Sequence, residues 1–186
     1  MTTISDWRPP IVEMVTVKQG LAAWDPKGIF PHHLPEVAAT PENIDAAEAA
    51  LGISLDAEHR AFLTYADGWQ AFYQDVTLMG AAQLVRSPAR DAALEAFTYA
   101  PEVLEEDLHR RPDRLLPIAA STTQADVFCM PVDDGRAGSR VFWLAEGELI
   151  DTFDSFGQYF VSMIDYTKEQ IADMQDLARK AGLTDQ

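Results

Sequence analysis

Between residues 115 and 153 the chain runs through four short apolar segments: LLPIAA (115–120), DVFCMPV (126–132), RVFWLA (140–145) and ELIDTF (148–153). Each is rich in β-branched, aromatic or aliphatic residues, the composition of strands. Turn residues separate the last three, Asp133-Asp134-Gly135 with Gly138 and then Glu146-Gly147-Glu148. A parallel crossover needs a dozen or more residues, so such strands must return antiparallel, as a meander. No other feature of the sequence restricts the fold as much.

Helical signals flank this sheet. Thr40 is placed to cap a helix, Pro41 suits its first position and Glu42 complements its dipole. Ile44, Ala47 and Leu51 follow on one face, and Gly52 supplies the stop. Asp56 opens a second helix that passes Phe62 and Leu63 and ends near Ala66, where Asp67-Gly68 turns the chain outward. DVTLMG (75–80) reads as a short strand. Ser87-Pro88 and Pro101 open two further helices, the second reaching about Arg110. Residues 87–113, acidic at Glu102, Glu105, Glu106 and Asp107 and then basic at Arg110 and Arg111, read as a solvated helical excursion. Ser155 caps a closing helix with Phe156, Tyr159, Phe160 and Met163 on one side, continuing to about Ala181-Gly182. Helices first, an antiparallel sheet next and helices last describe an α+β domain.

Residues 1–40 are expected to be an extension packed on that domain through Ile11, Val15 and Leu21. Its prolines (Pro9, Pro10, Pro26, Pro31 and Pro35) predict short helical turns joined by extended pieces. The domain proper spans 41–186. A chain of 186 residues suits one domain and buries enough surface to need no disulfide. Its single cysteine, Cys129, could form none internally and excludes a thiolate metal cage.

The start MTTISDWRPP lacks the basic and then apolar pattern of a secretory signal, and no apolar run approaches the roughly 20 residues of a membrane span. A cytoplasmic location is the expectation. The formal charge of −16 repels nucleic-acid phosphates and anionic lipid and attracts basic partners.

Candidates for chemistry are few. His32-His33 are adjacent, so in extended chain they point to opposite faces and cannot readily share a metal. Asp133-Asp134-Gly135 lacks the alternating acids and terminal Glu of a calcium loop and reads as a hairpin turn. Cys129 lies in an apolar strand without a nominated base. No Gly-rich phosphate loop, G-x-S-x-G elbow or H-E-x-x-H is present. Neither a metal, a cofactor nor a catalytic residue is expected.

The segment NIDAAEAALGISLDAEHRAFLTYADGW (43–69) resembles the signature helix pair of the SUKH superfamily, which includes the Smi/Knr-type regulators. The matching positions are Ile44, Ala47-Glu48, Leu51-Gly52, Leu55, Phe62-Leu63 and Asp67-Gly68. LLPIAAS, ADVFCMPV, RVFWLA and DTFDSFGQYFVSMI resemble the family's later strands and the Ser-Phe, here with Phe156, that opens its last helix. The likeness covers about residues 41–165 and is weak over 1–40 and 87–113. Asp56 stands where the family usually has proline, Asp67 where asparagine is common, and Ala125-Asp126 where Gly-Asp is frequent.

The resemblance implies a non-enzymatic binding domain. Many bacterial members are immunity proteins that neutralise a cognate toxin, often a nuclease, and an acidic chain would dock readily on a basic one. A regulatory or scaffolding module without a toxin partner is the alternative reading. An enzyme using His59, His109 and nearby carboxylates is a third. For the partner face the sequence nominates Trp69, Phe72, Tyr73 and Asp75 as one cluster and the Asp133-Asp134 hairpin as another, since aromatic anchors with charged rims dominate interfaces.

Overall fold

A computed structural model of the chain describes residues 3–180. Its helices are α1 (Arg8–Trp24), α2 (Pro41–Leu51), α3 (Ala57–Leu63), α4 (Ala81–Val85), α5 (Pro88–Tyr99) and α6 (Phe156–Lys180). The strands are β1 (Trp69–Tyr73), β2 (Val76–Leu78), β3 (Leu115–Ala120), β4 (Val127–Asp133), β5 (Arg136–Ala137), β6 (Val141–Ala145) and β7 (Glu148–Phe153). The sheet is antiparallel in the order β1-β2-β3-β4-β6-β7, with β5 paired to β4. The expected α+β architecture and meander are both present.

The local signals act as their chemistry dictates. The Thr40 hydroxyl accepts the Asn43 N–H at 3.3 Å, and Gly52 ends α2 in the left-handed region at φ 69°. The Asp56 carboxylate accepts the N–H groups of Glu58 and His59. Of the three two-residue hairpin turns, the one between β1 and β2 carries positive φ at Gln74 alone, while two carry it at each centre, Asp134-Gly135 between β4 and β5 and Glu146-Gly147 between β6 and β7. That backbone matches the twist of the strands they join. Glu48, a position of the recognised motif, closes the α2–α3 loop: its carboxylate accepts the Leu55 N–H at 2.8 Å and the Arg60 guanidinium at 2.6 Å.

The segment 62–69 ends a helix, as its residues predict, although α3 stops at Leu63 and not near Ala66. Phe62 and Leu63 are fully buried. The Asp67 carboxylate accepts the Ala81 N–H at 2.6 Å and so caps α4. Gly68, at φ 91°, passes so close to the next strand end that a Cβ would lie 2.5 Å from the Gly80 nitrogen.

The sheet is covered on both faces. Phe128 of β4 pairs with Trp143 of β6, and Phe128 packs on Tyr159 of α6 at 4.9 Å. The alternate residues Val127 and Leu144 face α5, where with Phe97 and Ala100 they line a cavity of about 190 Å³. Under α6, Trp7 meets Phe62, Phe156 and Phe160 edge-on at 5.2 to 5.5 Å and is fully buried.

Two expectations need correction. The extension is no chain of short turns: residues 8–24 form one 17-residue helix. Pro9 and Pro10 fall in its first turn, where backbone N–H groups have no helical acceptor and proline does no harm. Residues 87–113 are not a solvated excursion either. Ala93 and Phe97 of α5, with Val103, Leu104 and Leu108 around a turn of π-helix (Val103–Asp107), are buried, and the acids line the outer side. Strand β1 and helix α4 carried no legible signal. The expected helix end at Ala181-Gly182 lies outside the described residues.

Candidate partner-binding surface

The register gathers three connections at one end of the sheet. Tyr73 pairs with Val76, Thr77 with Ala120, Val127 with Leu144 and Ala145 with Glu148. The β1–β2 turn, the 121–126 loop and the β6–β7 turn therefore lie side by side. Asp75 closes the first onto the second: one carboxylate oxygen accepts the Ser121 hydroxyl at 2.5 Å and also the Thr123 hydroxyl. The Ser121 oxygen in turn accepts the N–H groups of Thr123 and Gln124, which sets the loop. The second oxygen of Asp75 is buried without a partner.

Asp126, at the end of this loop, accepts the Trp143 indole N–H at 2.7 Å. Burial raises its carboxyl above the ordinary range, the indole bond opposes that, and the charges of Asp75 and Glu146 add to the rise. Tyr73 is raised as well, first by burial and then by the charge of Asp126.

Beside Asp126 a groove of about 860 Å³ opens between α5, the 121–126 loop and the β6–β7 hairpin. Its walls carry Glu95, Asp126, Glu146 and Glu148, and among the described residues no lysine or arginine lines it. Tyr99 and Ile150, 77% and 47% exposed, add apolar surface. The arrangement is an acidic groove with apolar contacts, suited to a basic and partly apolar ligand.

The nominated residues are divided by this geometry. Trp69 and Phe72 are fully buried, Trp69 bonding the His33 carbonyl at 2.8 Å and both packing toward Phe160. They build the core and offer nothing to a partner: β1 is irregular between Trp69 and Tyr73, with Ala71 at φ 48°, and this brings both side chains inward although they stand three residues apart. Tyr73 and Asp75, partly exposed, do lie at the acidic end. Asp133 and Asp134 are exposed but lie at the far end of β4, about 20 Å along a seven-residue strand. There Asp133 pairs with Arg110, which holds its carboxyl below the usual range, and the hairpin is tied to Ser54 through the Gly135 carbonyl at 2.8 Å.

Of the groove residues, the sequence marked Glu146-Gly147-Glu148 only as a turn between strands and not as a partner contact. Glu95, Tyr99, Asp126 and Ile150 were missed because their convergence depends on strand order.

His59 is fully buried, stacked on Phe156 at 4.6 Å, with neither ring nitrogen partnered. His109 is exposed, its ring bonded to the Glu105 carbonyl, so the two are not assembled into one site. Cys129 is buried, and burial pushes its thiol far up, away from thiolate chemistry. Among the described residues no three His, Cys, Asp or Glu side chains converge as metal ligands would. No described helix is long and apolar enough to cross a membrane.

A family model described as the SMI1 / KNR4 family (SUKH-1) matches residues 38–162. No curated protein matches the chain. The matched stretch contains α2 through the first turns of α6, and with them both the 121–126 loop and the β6–β7 hairpin.

Proposed function

The chain belongs to the SMI1 / KNR4 family (SUKH-1), and on that premise we propose that it is a non-enzymatic protein-binding domain, an immunity protein that occupies and blocks a basic toxin domain. The acidic groove between α5 and the β6–β7 hairpin carries this reading. A toxin that cuts nucleic acid must attract phosphates, so its cleft is basic, and the four groove carboxylates, with no lysine or arginine among the described residues that line it, complement such a cleft. The net charge of −16 speeds the encounter, while Tyr99 and Ile150 supply the apolar contact that holds the complex.

Coexpression with basic nuclease toxin domains, those of any neighbouring gene first, tests the proposal. Rescue of growth and an association that weakens steeply with salt are the expected results. Absence of both rescue and binding overturns it. A stable partner that is no toxin, recovered without any rescue, assigns the chain to the regulatory class instead.

A further inference from the structure

On the α6 face of the acidic end three partly exposed rings meet: Tyr73 of β1, Trp143 of β6 and Tyr166 of α6. Their centroids stand 5.9, 5.8 and 6.3 Å apart, and the planes are steeply inclined, at 83°, 66° and 50°. Two of the polar tips end on acids. The Trp143 indole N–H donates to Asp126, and the Tyr166 hydroxyl donates to Asp151 at 3.0 Å. Glu169, three residues beyond Tyr166 on α6, adds its negative charge to both tyrosines.

Among the described residues some surface acids have a cation within ion-pair distance, and many, Glu95, Glu146 and Glu148 included, have none. Glu48 is paired with Arg60, Asp133 with Arg110, and Glu13 with Lys168. Among the described residues Asp75, Asp126, Asp151 and Glu169 have no such partner, though they surround an aromatic patch. Covering the core would require the rings alone. It would not require unpaired acids gathered around two of the three tips, whose mutual repulsion a cation would relieve; the third tip, the Tyr73 hydroxyl, accepts from the Gln74 amide at 3.3 Å.

We infer that the Tyr73–Trp143–Tyr166 patch is a receptor for an arginine side chain of the protein partner, its guanidinium stacked on the rings and hydrogen-bonded to Asp126 and Asp151. This rests on the protein-binding reading above and names the chemistry of the ligand. The planar guanidinium stacks on aromatic faces and forks onto carboxylates, whereas a lysine ammonium is a strongly hydrated point charge. The rise in the Asp126 carboxyl, caused by burial and by Asp75 and Glu146, would be relieved by that cation. Asp126 also lines the groove that opens on the α5 side, so it joins the two surfaces at this end of the sheet.

The test is a nuclear magnetic resonance titration of the full ¹⁵N-labelled chain with a capped hexa-arginine peptide and, separately, hexa-lysine, following the Trp143 indole signal. The expected result is a saturable shift with hexa-arginine, about fivefold tighter than with hexa-lysine. Asp126→Asn and Tyr166→Leu should each weaken it about fivefold or more, with the thermal midpoint checked in parallel. Should Asp126→Asn fail to fold, Asp151→Asn takes its place. Equal affinity for the two peptides, a shift indifferent to these variants, or saturation confined to the Asp133–Gly135 hairpin overturns the inference. Binding of hexa-arginine without toxin rescue leaves this receptor standing and removes the immunity reading. Rescue without any Trp143 shift does the reverse.

Discussion

The Glu58 carboxylate accepts the backbone N–H of Gly157 at 2.8 Å, joining residues 99 positions apart. Its other oxygen accepts the Ile4 N–H at 2.7 Å. One buried acid thus fastens the start of α6 and the N-terminal segment to α3. A Cβ on Gly157 would stand 2.6 Å from that carboxylate, so the glycine is the complement of the acid.

Glu58→Ala strands two N–H groups and should cost about 2–4 kcal/mol. Gly157→Ala should cost about 1–3 kcal/mol through crowding. In the double variant the crowding disappears, so the two losses should fall short of their sum by about 1 kcal/mol or more. Urea unfolding of the four proteins measures this, and strict additivity would contradict the contact.

Trp7 lies outside the family-matched residues yet is buried among Phe62, Phe156 and Phe160. Trp7→Ala is expected to cost about 3–5 kcal/mol. A fragment limited to residues 38–162 should therefore fail to show a cooperative thermal transition. A fragment that melts as sharply as the whole chain would refute this.

His59 titrates near 6.5 when exposed, and burial lowers it to about 3 in the folded chain. Between those values the unfolded chain holds the extra proton, so stability is lost as pH falls below about 6.5. His59→Met should be less sensitive to acid, the difference growing by up to about 1.4 kcal/mol per pH unit. Parallel urea curves at pH 7 and pH 5 check it, since the carboxylates titrate alike in both proteins.

Gly80 faces the Asp67 carbonyl so closely that a Cβ would stand 2.2 Å from its oxygen. Gly80→Ala should cost about 3 kcal/mol, the upper range for overpacking against rigid backbone. Asp67→Ala should cost about 1 kcal/mol through the lost cap on α4, and Asp67→Asn less. Thermal melts rank the three.

For the partner surface, Glu95→Lys combined with Glu146→Lys is expected to weaken association with a basic partner about tenfold or more. Asp133→Lys should change it less than about twofold, because Arg110 already neutralises that acid. Calorimetry at two salt concentrations decides. The opposite ranking would move the interface to the far end of the sheet.

Much of the fold was legible from neighbouring residues. Thr40, Asp56, Gly52 and the Asp134-Gly135 and Glu146-Gly147 turns act through their own backbone geometry, and such chemistry is written in two or three consecutive positions. Strand β1 was missed because its residues are placed by pairing with β2. The insertion was misread because its surface charges outweighed the small apolar face of Ala89, Ala93 and Phe97.

The sequence by itself determined the helix caps, the antiparallel meander, the acidic charge and the family likeness, since each follows from local dihedral preference or from composition. Tertiary structure alone decided that Trp7 enters the core, that Trp69 and Phe72 face inward, and that Asp75, Asp126, Trp143 and Glu146 share one end of the sheet. Those outcomes depend on which strand lies beside which, and strand order is set by burying both faces of the sheet at once.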